Sequence, residues 1–427
     1  MRRWRMHLTS GLVALMASVS FAACGGDSSD DAAGSAGTGG VSGTLKVAAG
    51  TEIKPGVEAL IKAYQAARPD VDVKASYAIE TQFNTQIKAQ LTGSNGPDVL
   101  ITIPGSGNAT SVGALAKAGL LQDLSEEPWV ADINPAQKSE VTFDGKTYMY
   151  PLGYDPMGIV YDAKRWEQHG MTVPETWSEL LASCAKWRDK GLEPIAVGMK
   201  ESFVPQFITY ALIASTVYRE NPDFDQQQAD GTATFSDSGW RDAFEQYVEL
   251  ERAGCFNKGF QGMGYDEMLN MVTNGKAAMT VTVSASMGAM RESNPDAEIT
   301  MAPFPTTDNT EDNWVGAGVF AGFSMSSKAP NPEVAKDFLR FINTPEMAAK
   351  FQAAAGAVPP GDDPEAPGLE SVVAVIQDGR TGPYPDHFWP NPDVQATHNA
   401  VVQQIFTGQT TIDEALQKMD AAYSKGS

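Results

Sequence analysis

Between Thr44 and Leu120 short apolar runs alternate with helically spaced segments, and this alternation restricts the chain to one architectural class. Leu45-Lys46-Val47-Ala48-Ala49 reads as a strand, and Val57, Leu60, Ile61 and Tyr64 follow at the spacing of one helix face. Val71, Val73, Ala75 and Tyr77 alternate as a half-buried strand does, and Phe83, Ile87 and Leu91 line a second helix. Asp98 to Ile103 is a buried-type strand fenced by Gly96-Pro97 and Pro104-Gly105, and a third helix carries Val112, Leu115 and Leu120. The order βαβαβα predicts an α/β fold, a parallel sheet covered by helices.

A second region begins after Tyr148-Met149-Tyr150-Pro151. Met157 to Tyr161, Glu193 to Gly198 and Ala277 to Val283 read as strands. Thr176-Trp177-Ser178-Glu179 and Thr411-Ile412-Asp413-Glu414 have the spacing of capping boxes, in which the Thr and Glu side chains satisfy opposite orphan groups of one helix start. Pro345 behind Thr344 opens a late helix, because Pro at the first helical position loses no hydrogen bond.

The N-terminus is built differently. Arg2, Arg3 and Arg5 precede an apolar run from Leu12 to Phe21, which is the layout of a bacterial secretory signal and about half the ~20 residues a membrane span needs. Phe21-Ala22-Ala23-Cys24 resembles a lipoprotein signal peptidase site. That resemblance implies a signal over residues 1–23, a diacylglyceryl group on Cys24 and a chain held at the outer face of the cell membrane by lipid alone. A plain secretory cut near Ala23 is the alternative. Residues 24–43 are almost all Gly, Ser, Ala, Thr and Asp, too little apolar surface to offset the entropy of ordering, and are expected to be a flexible tether.

About 400 residues remain, too many for one ordinary core, so two domains are expected. The chain is 42% hydrophobic and carries 53 acidic against 31 basic residues, and this acidity argues against nucleic acid or anionic lipid as partners. With Cys24 lipidated, Cys184 and Cys255 are left as an even pair in an oxidising compartment. A disulfide between them is expected, with two free thiols as the alternative. Two thiols and scattered His169, His387 and His398 make no metal site.

Enzyme motifs fail on inspection. Neither His-Glu-x-x-His nor Gly-x-Ser-x-Gly occurs. Gly145-Lys146-Thr147 resembles the end of a phosphate loop, but Glu140 stands where its first Gly is required. Gly316-Ala317-Gly318-Val319-Phe320-Ala321 fits a dinucleotide fingerprint, yet a strand, not a helix, is expected after it. No enzyme activity and no cofactor are expected.

Several segments in order carry a family resemblance: Gly96-Pro97-Asp98-Val99, Leu115 to Leu124, Asp144 to Leu152, Gly158 to Asp162, Pro174 to Leu180, Gly275 to Met279, Pro330 to Phe341 and Thr411 to Leu416. Together they resemble the extracellular solute-binding proteins of carbohydrate ABC importers, the group similar to maltose-binding protein. The resemblance implies a periplasmic-binding-protein-like fold: two α/β domains, a ligand cleft and three crossings between them. It places an N-terminal lobe at 44–153 plus 304–350 and a C-terminal lobe at 156–302 plus 357–427. The crossings fall at Gly153 to Pro156, near Ala302 to Pro305 and near Phe351 to Pro359. A monomer that captures a sugar or oligosaccharide and hands it to a permease is implied. A glycerophosphodiester or polyamine binder on the same fold is the alternative, and a secreted glycosidase a more distant one.

A pyranose offers a C–H face that stacks on aromatic rings and a rim of hydroxyls that takes donors and acceptors. Carried over by position, the ligand contacts are Glu52, Gln82, Ser106, Tyr154 and Asp155, then Glu201, Phe203, Ser284 and Ser286, then Trp314, Gly316, Phe388 and Trp389. Trp389, hemmed in by Pro385 and Pro390, is the strongest stacking candidate. Ala285 departs from the family pattern, which has a stacking Trp at about this point, so maltodextrin is not the expected ligand.

Overall fold

The computed structural model describes residues 41–425 except 94, 134–137, 139, 320, 356, 357 and 359–365. The signal, Cys24 and the tether to residue 40 lie outside the described residues. The first strands follow the expected alternation: β1 (Gly43–Gly50), β2 (Val71–Ala78) and β3 (Val99–Thr102), separated by helices Lys54–Ala67 and Glu80–Thr92. A small hairpin, β4 (Thr142–Phe143) with β5 (Lys146–Thr147), precedes β6 (Met149–Pro151). Next come β7 (Tyr154–Asp162), β8 (Glu193–Ala196), β9 (Ala277–Val283), β10 (Ile299–Ala302) and β11 (Val315–Val319). Last are β12 (Gly322–Met325) and β13 (Thr381–Gly382).

The strands make two larger sheets. The first has the order β2-β1-β3-β12-β6. Its β1 pairs in parallel with both β2 and β3, as the βαβ pattern requires. Beyond these parallel strands the sheet is extended at the other edge by β12, which runs antiparallel to β3 and to β6. No crossover helix leads into β12. It enters directly from the other sheet, so its direction is not tied to that of β3. The second sheet has the order β13-β11-β7-β9-β8, with β10 also on β7. All seven residues of β9 are buried, as befits a strand covered on both faces.

The chain changes sheets three times. The first change lies between β6 and β7, at Leu152-Gly153. The second lies between the end of β11 at Val319 and the start of β12 at Gly322, rather than near Ala302 to Pro305. Pro303 and Pro305 open an excursion that returns to pair Ala317, Gly318 and Val319 with Pro156, Asp155 and Tyr154, so the chain stays with the second sheet for another strand. The third follows helix Pro345–Ala355, which packs on helix Lys54–Ala67, and precedes helix Glu370–Gln377, which packs on β10 and β11. There Val358 exchanges backbone hydrogen bonds with Tyr154 (2.8 and 3.2 Å), joining the first and third connections.

Local signals hold with one amendment. Thr411 and Glu414 form a complete capping box. Thr176 caps Glu179, but the Glu179 carboxylate accepts from the Glu175 amide, one residue before the cap. In the second half Cys184, on helix Trp177–Asp189, and Cys255, just past helix Trp240–Arg252, bring their sulfurs to 2.12 Å with Cα atoms 5.0 Å apart. No helix among the described residues is long and apolar enough to cross a membrane.

Candidate ligand-binding site

Between the two sheets lies a partly enclosed cavity of about 100 Å³. It sits where β1 and β3 end, the usual place for a ligand in an open α/β sheet. From the first half, Gly50 ends β1 and Glu52 and Ile53 follow it, Phe83 and Asn84 come from helix Glu80–Thr92, and Asn108 and Thr110 come from the loop after β3. From the second half come Phe203, Gln206, Phe207 and Tyr210, on and before helix Gln206–Ile213, and Tyr265 at the start of another helix. The late segment adds Tyr384, Asp386, His387 and Gln395.

Hydrogen bonds tie the two walls together. The Asn108 amide donates to Gln395 (2.9 Å), and the Gln395 amide donates to Asp386 (2.9 Å) and Gln206 (3.1 Å). Thr110 donates from its hydroxyl to Asn84 (3.0 Å) and Asn108 (2.9 Å). The Ser106 and Gly107 amides donate to the carbonyls of His387 (3.3 Å) and Asp386 (3.0 Å). This approach needs glycine: a Cβ on Gly105 would lie 1.9 Å from the His387 oxygen, and one on Gly107 2.1 Å from the Asp386 oxygen.

Charge is concentrated in the late segment. His387 Nδ1 lies 2.5 Å from Glu140 Oε2, with both side chains buried. Burial works against the imidazolium, but the bond to Glu140 and the charges of Glu140, Asp386 and Asp225 outweigh it, so the His387 pKa is raised. Burial also raises Asp386. Asp155, fully buried, is pushed up to about 7 by desolvation, against the hydrogen bonds it accepts from Ser284 Oγ (2.6 Å) and the Ala285 amide (2.9 Å).

The residues singled out from sequence separate into layers. Glu52 and Phe203 line the cavity. Behind it, Glu201 accepts from the Tyr265 amide (2.8 Å), and Ser286 shares a 2.6 Å hydrogen bond with the Tyr265 hydroxyl. The two hold a ring of the wall from both ends. Asp155 and Ser284 fix the turn after β9, and the Tyr384 hydroxyl donates to the Asp155 carbonyl. Ser106 is bound to the His387 carbonyl, and Gly316 packs under the Tyr210 carbonyl. Tyr154 is in the ladder of β7, the Trp314 amide donates to Ser215, and Gln82 is exposed beside the cavity residues Phe83 and Asn84.

Trp389 is not on the cavity wall. It is wholly buried against Tyr210, Phe235, Trp240 and His398, where it packs rather than offering a face to a ligand. Phe388 beside it is 40% exposed and also off the wall. In the late segment the residues that line the cavity are Tyr384, Asp386 and His387. The other wall residues that sequence reasoning missed had faint signals. Gln206 is the one strongly polar residue at the head of the apolar run Phe207 to Ile213, and Asn108 and Thr110 sit in a Gly- and Ser-rich loop after a strand.

The assembled wall presents aromatic faces beside amide, hydroxyl and carboxylate groups, which suits a small ligand with both an apolar face and a polar rim. The model of the bacterial extracellular solute-binding proteins matches residues 48–349. The chain belongs to that family. Among similar solute-binding proteins, the multiple sugar-binding protein of Streptococcus mutans is 24% identical over 303 residues, 70% of each chain. The diacetylchitobiose binding protein of Streptomyces coelicolor is 27% identical over 368 residues, 82% of this chain and 80% of its own. Among solved structures, a chitin oligosaccharide binding protein superposes with a TM-score of 0.71 at 23% identity, over 87% of this chain and 94% of its own. The solute receptor AcbH, described as having an exclusive preference for β-D-galactopyranose, gives 0.74 at 20% identity, over 90% and 98%. This likeness establishes the fold as two α/β domains with a cleft between them.

Proposed function

We propose that this solute-binding protein captures a sugar between its two lobes and delivers it to the permease of an ABC importer. The observation that carries the reading is the wall itself: Phe203, Tyr210, Tyr265 and Tyr384 supply ring surface beside the amides of Asn84, Asn108 and Gln395. Rings grip the C–H face of a pyranose, and amides pair with its hydroxyls as donor and acceptor together. The sugar-binding relatives support it. Lobes at 44–153 plus 304–350 and 156–302 plus 357–427 would close on the ligand by rotation about the connecting segments, and the pairing of β11 with β7 and of β12 with β3 supports a second boundary between Val319 and Gly322. The protein does no covalent chemistry on its cargo.

Delivery needs proximity to the permease. Cys24 carries the lipid that supplies it, behind a signal removed at Ala23, and one diacylglyceryl group holds the chain outside the cell. Cys184 and Cys255 are joined as a disulfide in that oxidising compartment. A melting-temperature screen against sugars tests the main reading, because a ligand of the folded state stabilises it by mass action. No shift from any carbohydrate at millimolar concentration would sink it. For the anchor, Cys24→Ala should abolish labelling by radioactive palmitate, and label retained in that variant would reject it.

A further inference from the structure

The late segment joins the two lobes through bonds that run from protein to protein. We propose that residues 384–395 form a strap that clasps the lobes before any solute arrives, so that the cavity is shut at rest and solute enters only when the strap lets go. The lobes still rotate about the connecting segments, but the resting position is the closed one. The strap acts on whatever solute the cavity takes, so it does not depend on the sugar reading.

The strap belongs to the second lobe. Just ahead of it, Thr381 and Gly382 pair with Val315 and Gly316 of β11. The Tyr384 hydroxyl donates to the Asp155 carbonyl, and Trp389 is wholly buried against Tyr210, Phe235, Trp240 and His398. Pinned in this way, the segment cannot follow the first lobe when the lobes part.

Its partners stand in the first lobe. In the loop after β3 the Ser106 and Gly107 amides donate to the His387 and Asp386 carbonyls (3.3 and 3.0 Å), and the Asn108 side chain donates to Gln395 (2.9 Å). Glu140 meets His387 beside them. The approach is close because the loop carries glycine where the strap passes: a Cβ on Gly107 would stand 2.1 Å from the Asp386 oxygen. Each bond contributes modestly, since water replaces the partner that opening removes. The four must break together, however, because strap and loop are each fixed in their own lobe, so their contributions combine. A cavity shut at rest also sets the order of capture: opening precedes binding, and the strap limits the rate at high solute concentration.

Gly105 supplies an internal control, because its amide donates within the first lobe, to the Glu140 carbonyl (2.8 Å). Amide hydrogen exchange of the full chain, with no solute added, is followed residue by residue by NMR. The expected result is that Ser106 and Gly107 exchange at least about a hundredfold more slowly than an unstructured chain, as Gly105 does. Exchange at Ser106 and Gly107 within about tenfold of the unstructured rate, beside a protected Gly105, overturns the strap. Two variants test the cause. Gln395→Ala removes a bond from the strap side and leaves the loop untouched; it should speed exchange at Ser106 and Gly107 about fivefold with Gly105 unchanged. Gly107→Ala sets a methyl group against the Asp386 oxygen; it should speed Ser106 by more than about tenfold and raise the radius of gyration in small-angle scattering. Unchanged exchange at Ser106 in either variant overturns the proposal, since its protection is then local burial. Where Gly107→Ala also loses protection at Gly105, the loop itself is disrupted and Gln395→Ala alone decides.

Discussion

The two walls of the cavity are made of different material. The first-sheet wall is aliphatic and polar, with Ile53, Ile101 and Ile103 beside Asn84, Asn108 and Thr110 and a single ring, Phe83. The second-sheet wall carries Phe203, Phe207, Tyr210, Tyr265 and Tyr384. Behind those rings lies a second layer of Phe235, Trp240, Phe244 and Trp389 in mutual ring contact around His398. The contrast implies a division of labour. The second half is a platform locked from behind, and the first half brings hydrogen-bonding groups down onto it.

The largest test of that division is Trp389→Ala. A wholly buried Trp removed from an aromatic core should cost about 3–5 kcal/mol, seen as a lower urea midpoint with unchanged slope. Sugar affinity of the folded fraction should stay within about threefold, since the ring is one layer behind the wall. Lost affinity with unchanged stability would put Trp389 in the site and break the partition.

The disulfide comes next. Cys184 and Cys255 are 71 residues apart, and closing such a loop restrains the unfolded chain by about 4 kcal/mol in the chain-entropy model. Mild reduction should destabilise the protein by that order and leave two titratable thiols. If denatured, unreduced protein already reacts at both, the bridge is absent and the platform is held by packing alone.

The platform should also respond to pH. Burial raises Asp155 and Asp225 to about 7, and Asp386 in the same direction. A carboxyl whose folded pKa is above its unfolded value stabilises fully below the unfolded value, near 4, and loses that stabilisation as pH rises to the folded one. Each of the first two should therefore cost a few kcal/mol between about pH 4 and 7. His398, buried and lowered to about 4, acts oppositely, its neutral form favouring higher pH over the same window. Two strongly raised carboxyls, reinforced by Asp386, outweigh one histidine, so urea denaturation should give higher stability at pH 5 than at pH 7.5. Asp155→Asn should flatten that difference, and an unaltered profile would mean Asp155 is solvated. In the first half Asp123 is lowered by hydrogen bonds from Ser125, so its contribution is lost in acid instead.

The strands and helices behind this contrast were largely legible in the sequence, the wall residues were not, and the difference has a physical reason. Periodicity reads which face of an element is buried, so β1, β2 and β3 with their helices, and β9, were recoverable. Periodicity does not say which strand a segment will pair with after a loop of a dozen residues, so the return of β11 to β7 was hidden. Site residues were harder, because a Trp in a Pro-rich loop reads the same whether it faces a ligand or a core. Trp389 faces a core made by helices Trp240–Arg252 and Pro392–Phe406, more than a hundred residues apart in sequence. Glu201 and Ser286, expected to touch the ligand, each bond to Tyr265 instead, and no periodicity or motif in the sequence singles Tyr265 out.

The two walls should also differ residue by residue in affinity. Phe203→Ala removes ring surface from the platform and should weaken sugar binding by more than about tenfold, or ~1.4 kcal/mol. Asn84→Ala removes one hydrogen-bonding group from the opposite wall and should cost about 1 kcal/mol, roughly fivefold. Calorimetric titration of both variants gives the ratio directly. A larger loss for Asn84→Ala would reverse the division, making hydrogen bonds rather than stacking the main grip.

The smallest effect is expected where the walls meet through charge. Glu140 stands in the first half, ahead of the β4–β5 hairpin, and His387 in the late segment of the second. Glu140→Gln keeps an acceptor for the Nδ1–H but removes the negative charge, so burial is left to dominate and the His387 pKa should fall. Because the folded pKa is raised in the native protein, the stabilisation from this pair is fully present below the unfolded value near 6.5 and is lost as pH rises through the raised value. The variant should therefore cost about 1 kcal/mol at pH 6 and progressively less at higher pH, in contrast to a packing defect, which would cost the same throughout. Nitrogen-15 histidine spectra recorded across pH 5 to 9, with His387→Gln to assign the signal, report the titration itself. An unchanged His387 titration in Glu140→Gln would mean that Asp386 and Asp225, both on its own side, hold the charge unaided.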